Sequence, residues 1–438
     1  MFNLPDRATA PFCPSEVIGS ILISPTDPGW KKILRFAGPG LLISIGYMDP
    51  GNWATAISAG STFGYSLLFI VVLSSLAAML LQSISLRLGI VTGKDLAKLC
   101  SEQYPRRTSN LMWAFAELSI IACDIAEVLG CALAFKLILG VSLHVAIGIT
   151  VLDTVFVLGL KGAGFRKVEA IILALIATIS ICLGWELIML HPCWECAAQA
   201  LLPSIPALKN MDSLYLAIGI LGATVMPHNL YLHSSVVLTR KIGNSNASRL
   251  QAIRYANIDS ATSLFFALLI NAAILILAAA AFHGKSVVME LDDAYHLLDP
   301  VTGSTFAGLL FGIGLLASGQ SSTFTGTIAG QVILDGFLQM RIPCWQRRLI
   351  TRGLAIIPAW IGVTLGGEHS IGRLLILTQV VLSLQLPFVM FPMIKMAGSE
   401  RLMGKFKSTN IIQFTAWILF VLISAANVWL VLHTFDVM

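Results

Sequence analysis

The sequence predicts an all-α polytopic membrane protein of about eleven transmembrane helices, and three observations carry that prediction. Of 438 residues, 56% are hydrophobic and only 12% charged, and the mean hydropathy is +0.83. Soluble globular domains carry about 25% charged residues, and a soluble core cannot absorb this much apolar surface. The apolar residues gather into runs of about 20, the length that crosses a bilayer core. The basic residues collect on one side of those runs, which is a topology signal.

The runs lie at roughly 37–60, 65–89, 110–140, 142–160, 167–190, 212–239, 255–282, 303–338, 346–366, 370–397 and 411–435. The eighth is longer than a span needs and is expected to continue past the membrane surface. Backbone groups in lipid must be satisfied within the segment, so each run is read as a helix. A β-barrel would show alternating segments of about 10 residues instead. Met1 to Pro28 lacks the charged start, apolar stretch and small-residue cleavage site of a signal peptide. The chain therefore divides into a cytoplasmic N-terminal segment (1–36), a first repeat of five spans (37–190), an extracytoplasmic loop (191–211), a second repeat of five spans (212–397), and an eleventh span with the C-terminus (398–438).

Of the 28 basic residues, only Lys136, Lys209, Lys285 and Arg373 fall on the side opposite the N-terminus. That bias places the N-terminus in the cytoplasm and the C-terminus outside. It also accounts for the net charge of +5 without a nucleic-acid partner. The outer connection after the seventh run reads as an acidic loop, with Glu290, Asp292, Asp293 and Asp299. Cys123, Cys131 and Cys182 fall inside spans and read as packing residues. Cys193 and Cys196 form a C-x-x-C in an outer loop. The second pair of a structural zinc site is missing, so the reading favours neither a metal contact nor a bridge. Gly308 with Gly312 reads as helix packing within a monomer.

Two interruptions carry the functional signal. The first span contains Gly46-Tyr47-Met48-Asp49-Pro50-Gly51-Asn52, and the sixth contains Ala223-Thr224-Val225-Met226-Pro227-His228-Asn229. Aligning Asp49 with Met226 also aligns Pro50 with Pro227 and Asn52 with Asn229. Proline removes a backbone donor and clashes with the preceding turn, so each helix should break there. Gly51 adds backbone freedom. Proline alone would account for one kink. Two matched breaks in corresponding members of two five-helix halves are the pattern of an inverted repeat, with discontinuous helices 1 and 6 around a midplane site.

The chemistry at the breaks points to a cation. Asp49 is ionisable near the bilayer midplane, where a charge is costly unless it is functional or paired. Asn52 offers an amide oxygen, Met226 a thioether, and the unwound backbone carbonyls, best placed at Ala223 and near Asp49. Carboxylate, amide, carbonyl and one soft sulfur suit Mn²⁺, Fe²⁺, Co²⁺ or Cd²⁺, whereas Ca²⁺ and Mg²⁺ prefer oxygen alone. Glu117, Asp124 and Glu127 lie near one face of the third span. Arg352 is a candidate partner for Asp124 or Glu127, and His228 follows the second break. Histidine exchanges protons near neutral pH, so a cation arriving at Asp49 could displace a proton that these groups carry away. Static salt bridges would account for the same acids. Other readings stay open: a Na⁺-coupled symporter for an organic substrate, an intramembrane enzyme, or a passive metal channel. No H-E-x-x-H pair supports the enzyme, and the lone carboxylate weighs against an anionic substrate.

The pair Asp49-Pro50-Gly51-Asn52 and Met226-Pro227-His228-Asn229 resembles the motifs of the Nramp metal-ion transporters. Gly38-Pro39-Gly40, Thr92-Gly93-Lys94 and the stretch Gln379 to Pro387 agree with it. The resemblance covers nearly the whole chain from about Arg35 onward. It implies a LeuT-type 5+5 inverted repeat and a bacterial cytoplasmic-membrane importer of Mn²⁺ or Fe²⁺, and also of Co²⁺ or Cd²⁺, driven by protons. It implies no enzyme activity and no resident cofactor, the metal being substrate and H⁺ co-substrate. It further implies that Asp49, Asn52, the Ala223 carbonyl and Met226 hold the metal, with Gln379 joining in some states. His228, Asp124, Glu127, Glu117 and Arg352 match the family's proposed proton pathway. A related magnesium-transporting branch lacks the methionine that is present here at Met226.

Overall fold

The computed structural model describes residues 18–23, 28–152, 165–204, 210–243, 245–284, 291–304, 306–340, 344–367 and 370–434. Lys209, Lys285 and Glu290 lie outside them. The first half holds α1 (Gly29–Phe36), α2 (Pro39–Gly46), α3 (Pro50–Phe63), α4 (Leu68–Thr92), α5 (Leu96–Gln103), α6 (Arg106–Leu139), α7 (Leu143–Ile149) and α8 (Phe165–Leu190). After α9 (Trp194–Gln199), the second half holds α10 (Met211–Thr224), α11 (Pro227–Val236), α12 (Asn246–Phe282), α13 (Leu291–Thr302), α14 (Ala307–Leu338), α15 (Cys344–Gly366) and α16 (Ile371–Ala397). α17 (Glu400–Met403) and α18 (Asn410–Thr434) close the chain. A two-residue parallel pair joins β1 (Ile21–Leu22) to β2 (Arg240–Lys241).

Eight helical stretches among the described residues are long and apolar enough to cross a membrane. The other three predicted runs differ for separate reasons. The first is split into α2 and α3, and α3 continues through a 3₁₀ turn into α4. Residues 153–160 of the fourth lie outside the described residues. The eighth, α14, is long enough, but Ser318, Ser321, Ser322, Thr323, Thr325 and Thr327 dilute its hydropathy. Two helices also begin earlier than their apolar runs, α6 at Arg106 and α12 at Asn246. Hydropathy marks where lipid begins, while a helix starts at its cap: Pro105 precedes α6, and Ser245 accepts from the Ser248 N–H at 3.1 Å.

The acidic connection after the seventh run holds a helix. It is helical over α13, where Leu291, Ala294 and Leu298 form a buried stripe and the carboxylates occupy the other face. Asp292 there pairs with Lys136 at 3.4 Å. Cys193 and Cys196, which the sequence alone does not pair, are bridged. Cys193 caps α9, and that tight first turn brings the two sulfurs together. Gly308 and Gly312 pack against Tyr295 of α13, and Gly312 also meets Ile138 of α6, all within one chain.

The core is built where α14 lies against α6 and α8, and where α12 lies against α2, α3 and α4. The start of α2 is pinned by α12 and β2, with α8 behind β2. Asp259 of α12 accepts from the Gly38 and Gly40 N–H groups at 3.3 and 2.7 Å. Arg240 donates to the Ala37 carbonyl at 2.7 Å and to Glu169 of α8 at 3.0 Å. Gly38 has φ +133°, and a side chain there would collide with Glu169 and Arg240.

Candidate functional site

Both predicted breaks form. α2 stops at Gly46, Tyr47 to Asp49 leave the helical path, and α3 resumes at Pro50. Asp49 is the extended N-cap of α3, with φ −67° and ψ 166°, and its Oδ1 accepts from the Asn52 N–H at 2.9 Å. Proline at the first helical position has no N–H to leave unsatisfied. Gly130 of α6 lies directly against the Pro50 ring, and Gly319 of α14 also leaves it room. In the second break, α10 stops at Thr224 and α11 resumes at Pro227. Met226 is its extended N-cap, with no side-chain cap bond.

The breaks meet through Asn52. Its Nδ2 donates to Asp49 Oδ1 at 2.7 Å and to the Ala223 carbonyl at 2.9 Å. From α16, Gln379 Nε2 reaches Asp49 Oδ2 at 3.4 Å. The structure thus joins Asp49, Asn52, Ala223 and Gln379 in one hydrogen-bonded group, all of them buried. Met226 is equally buried but stands outside that group. Its sulfur accepts from Asn229 Nδ2 at 3.7 Å, and it packs with Ala122 and with Leu382, one turn beyond Gln379. Gly51 has no room for a side chain because Gln379 lies against it.

Two buried amide oxygens here, Gln379 Oε1 and Asn229 Oδ1, have no hydrogen-bond partner. Buried polar atoms are ordinarily satisfied, and a cation would satisfy these. Among the described residues, no three His, Cys, Asp or Glu side chains gather where they could hold a metal. One carboxylate among neutral oxygens and a thioether suits an ion that must also leave.

The remaining sequence candidates divide. Glu127 and Asp124 are buried on α6, and Arg352 of α15 approaches Glu127 at 3.7 Å. Thr323 donates to Glu127 at 3.0 Å. Neither Asp124 oxygen has a hydrogen-bond partner. His228 Nε2 lies 3.7 Å from Cys123 Sγ, which in turn lies 3.6 Å from Glu127 Oε1. Cys123, read as packing, therefore stands between two titratable candidates. Glu117 is placed apart from this chain of contacts: Arg347 holds both its oxygens, at 2.9 and 2.8 Å.

Several site residues escaped the sequence reading. Arg347 counted only as a topology charge. Asn229 appeared only as an alignment mate of Asn52. Tyr47, Gln82 and His233 form a buried relay beneath the first break, with Gln82 Nε2 donating to the Tyr47 hydroxyl at 2.8 Å and His233 Nδ1 to Gln82 Oε1 at 2.9 Å. Polar residues inside the second and sixth runs were the available signal. Ser318 donates to the Met48 carbonyl at 2.5 Å and Asn271 to the Tyr47 carbonyl at 2.7 Å, satisfying backbone freed by the break.

Residues 40–433 match the family model described as natural resistance-associated macrophage protein-like, Nramp. The divalent metal cation transporter MntH of Ralstonia nicotianae is 60% identical over 98% of this chain and 97% of its own. A protein of that name in Pseudomonas aeruginosa, MntH 1, is 58% identical over 99% of both. The crystal structure of a manganese transporter from Eremococcus coleocola superposes with a TM-score of 0.88 at 37% identity, covering 94% of this chain and 89% of that one. A nucleobase-cation-symport-1 family transporter in a closed conformation shares the fold at 14% identity, with a TM-score of 0.56 over 90% of this chain and 89% of that one.

Proposed function

The chain belongs to the Nramp family, and from that premise we propose that it imports divalent transition metals, Mn²⁺ and Fe²⁺ first and Co²⁺ or Cd²⁺ also, by proton-coupled alternating access. The observation that carries this reading is the Asp49 carboxylate at a helix break, joined through Asn52 to the Ala223 backbone carbonyl of the second break. The family and its relatives are transporters, not enzymes.

Cation binding follows from the donors. Asp49 supplies charge, Ala223 its carbonyl, and Asn52 its Oδ1 once the amide turns from donating to accepting. Gln379 Oε1 and the Met226 sulfur complete the shell, and the sulfur favours Mn²⁺, Fe²⁺ or Cd²⁺ over Ca²⁺ and Mg²⁺. A cation and a proton compete for the same Asp49 oxygens, so metal arrival drives the proton off. His228, Cys123 and Glu127 run from the second break towards α15, and Asp124 lies one turn from Glu127, so these residues would carry that proton inward, with Arg352 as the fixed positive charge beside Glu127. The asymmetry of Lys and Arg supports a cytoplasmic-membrane orientation with the N-terminus inside and the C-terminus outside.

The test is Mn²⁺ uptake into proteoliposomes with and without an acid-outside gradient, with Asp49→Ala as control. Acid-stimulated uptake that the variant lacks is the expected result. Uptake indifferent to the gradient would leave a metal path without coupling. No Mn²⁺ uptake at all would refute the metal assignment.

A further inference from the structure

Glu186 of α8 takes no part in the proposed site, yet it is buried with neither oxygen hydrogen-bonded, as Asp124 is. The buried positions of α8 include Glu169, Ile172, Ile176, Ile179, Cys182 and Glu186, spaced three or four apart. That stripe faces the protein, whereas Ile181, Trp185 and Ile188 are exposed on the other side. Glu169 at the inner end of the stripe is held by Arg240. Glu186, about 25 Å further along the helix, is fully buried, and neither of its oxygens has a hydrogen-bond partner among the described residues.

Its surroundings narrow what it can bind. Cys182 lies one turn before it. At the same level a Cβ on Gly314 of α14 would lie 3.7 Å from Cys182 Cβ and 3.0 Å from Trp53 Cη2. Trp53 stands one turn after Asp49 on α3, and its indole N–H is also buried without an acceptor. The helices packed on α8 are α2, α12, α13 and α14. α2 carries no titratable side chain, and α14 carries only Asp335, near its far end. α12 carries Arg249, Arg254, Tyr255 and Asp259, all in its inner half. α13 carries Asp292, paired with Lys136, and Asp293, Tyr295, His296 and Asp299. A divalent ion needs four or more ligands, whereas a proton needs one oxygen.

We propose that Glu186 is a second proton-binding carboxyl, separate from the Asp124 and Glu127 set, which takes a proton from the outer face as the outer ends of α3, α8 and α14 close. This rests on the alternating-access reading above. While that region is open and wet, the carboxylate is solvated. Burying it ionised and unpaired is costly, so closure adds one proton from outer water to a Glu186 oxygen, and reopening returns it. Outside acidity thereby favours the closed outer face directly, through a group that never touches the metal.

The test compares wild type, Glu186→Gln and Glu186→Asp in proteoliposomes, reading Mn²⁺ uptake against outside pH alongside pH-stepped difference infrared spectra of the purified proteins. Glu186→Gln, neutral and equal in size, should keep uptake but lose a large part of its acid stimulation. It should also lack a carboxylic C=O band that wild type gains on acidification. Glu186→Asp should keep the stimulation and shift the band. A Gln variant with the wild-type pH profile and an unchanged band overturns the proposal. If Gln fails to fold, the Asp band decides: a shifted band supports the assignment and an unshifted one refutes it. Should wild type move no Mn²⁺, the transport reading fails, while the infrared titration still judges Glu186.

Discussion

The two helix breaks are built on one plan and filled with opposite chemistry. The register that aligns Asp49 with Met226 also aligns Asn52 with Asn229 and Gly46 with Ala223. The contacts follow the same exchange. Asn52 donates to Asp49 and to the Ala223 carbonyl, while Asn229 donates to Met226 and lies against Gly46. At the first break the N-cap residue carries a charged oxygen; at the second it carries a neutral sulfur. The repeat supplies the geometry twice, and the substitutions within it supply one negative charge and one soft donor. A site with a single charge can release a divalent ion, which two carboxylates would hold harder.

Removing the charge while keeping the plan should have the largest effect. Asparagine caps a helix about as well as aspartate, so Asp49→Asn should fold with near-native thermal stability while Mn²⁺ uptake drops to background. Substantial residual uptake would mean that the charge is not the difference that matters. A smaller loss is expected from Gly51→Ala, which displaces Gln379 from the Asp49 carboxylate; displacing a supporting group of this kind costs about 10-fold in metal affinity, measurable by isothermal titration with Mn²⁺. Uptake and affinity at wild-type levels would show that Gln379 is a bystander.

Met226→Leu tests the other pole. The swap conserves volume and costs under about 1.5 kcal/mol of stability, but it removes the sulfur. Cd²⁺ uptake should fall several-fold more than Mn²⁺ uptake, with Ca²⁺ competing better than in wild type. Equal losses for all three ions would assign Met226 to packing.

The smallest effect lies outside the breaks. Asp95 caps α5 through the Lys98 N–H at 2.8 Å, and partial burial pushes its carboxyl up from 3.8 to about 6, with Asp335 nearby adding to the push. A carboxyl that holds its proton more tightly folded than unfolded makes the folded state bind more protons in that window. Stability should therefore decline as pH rises from about 4 to about 6. Asp95→Asn, which retains a cap, should flatten that slope in thermal melts. An unchanged slope would place the titrating group elsewhere.

Much of this molecule was legible because its devices are local. Pro50 and Pro227 announce breaks by their own covalent chemistry, and Asp49 and Asn52 cap and bond across three residues of one chain. Runs of apolar residues mark lipid regardless of partner. What could not be read depends on which helix faces which. Gln379 reaches Asp49 only because α16 lies against the first break, and Arg347 claims Glu117 only because α15 crosses α6 at that height. A count of charges cannot tell such a pair from a topology signal. Likewise, α13 looked like a loop because its carboxylates drew attention from the Leu291, Ala294 and Leu298 stripe. Glu186 was passed over because a single glutamate in an apolar run says nothing about whether anything answers it.

The Asn52 amide has one further consequence. Its NH₂ already occupies Asp49 Oδ1 and the Ala223 carbonyl, so an arriving ion does not find idle ligands. It must outbid an internal rival for both oxygens. Hydrogen bonds to a charged group are worth roughly 1.5–3 kcal/mol, and at equal distance a monovalent ion attracts the carboxylate half as strongly as a divalent one. The side chain thus sets an admission threshold graded by charge. An abundant monovalent cation would then be turned away at the site itself, by a competitor that never leaves it.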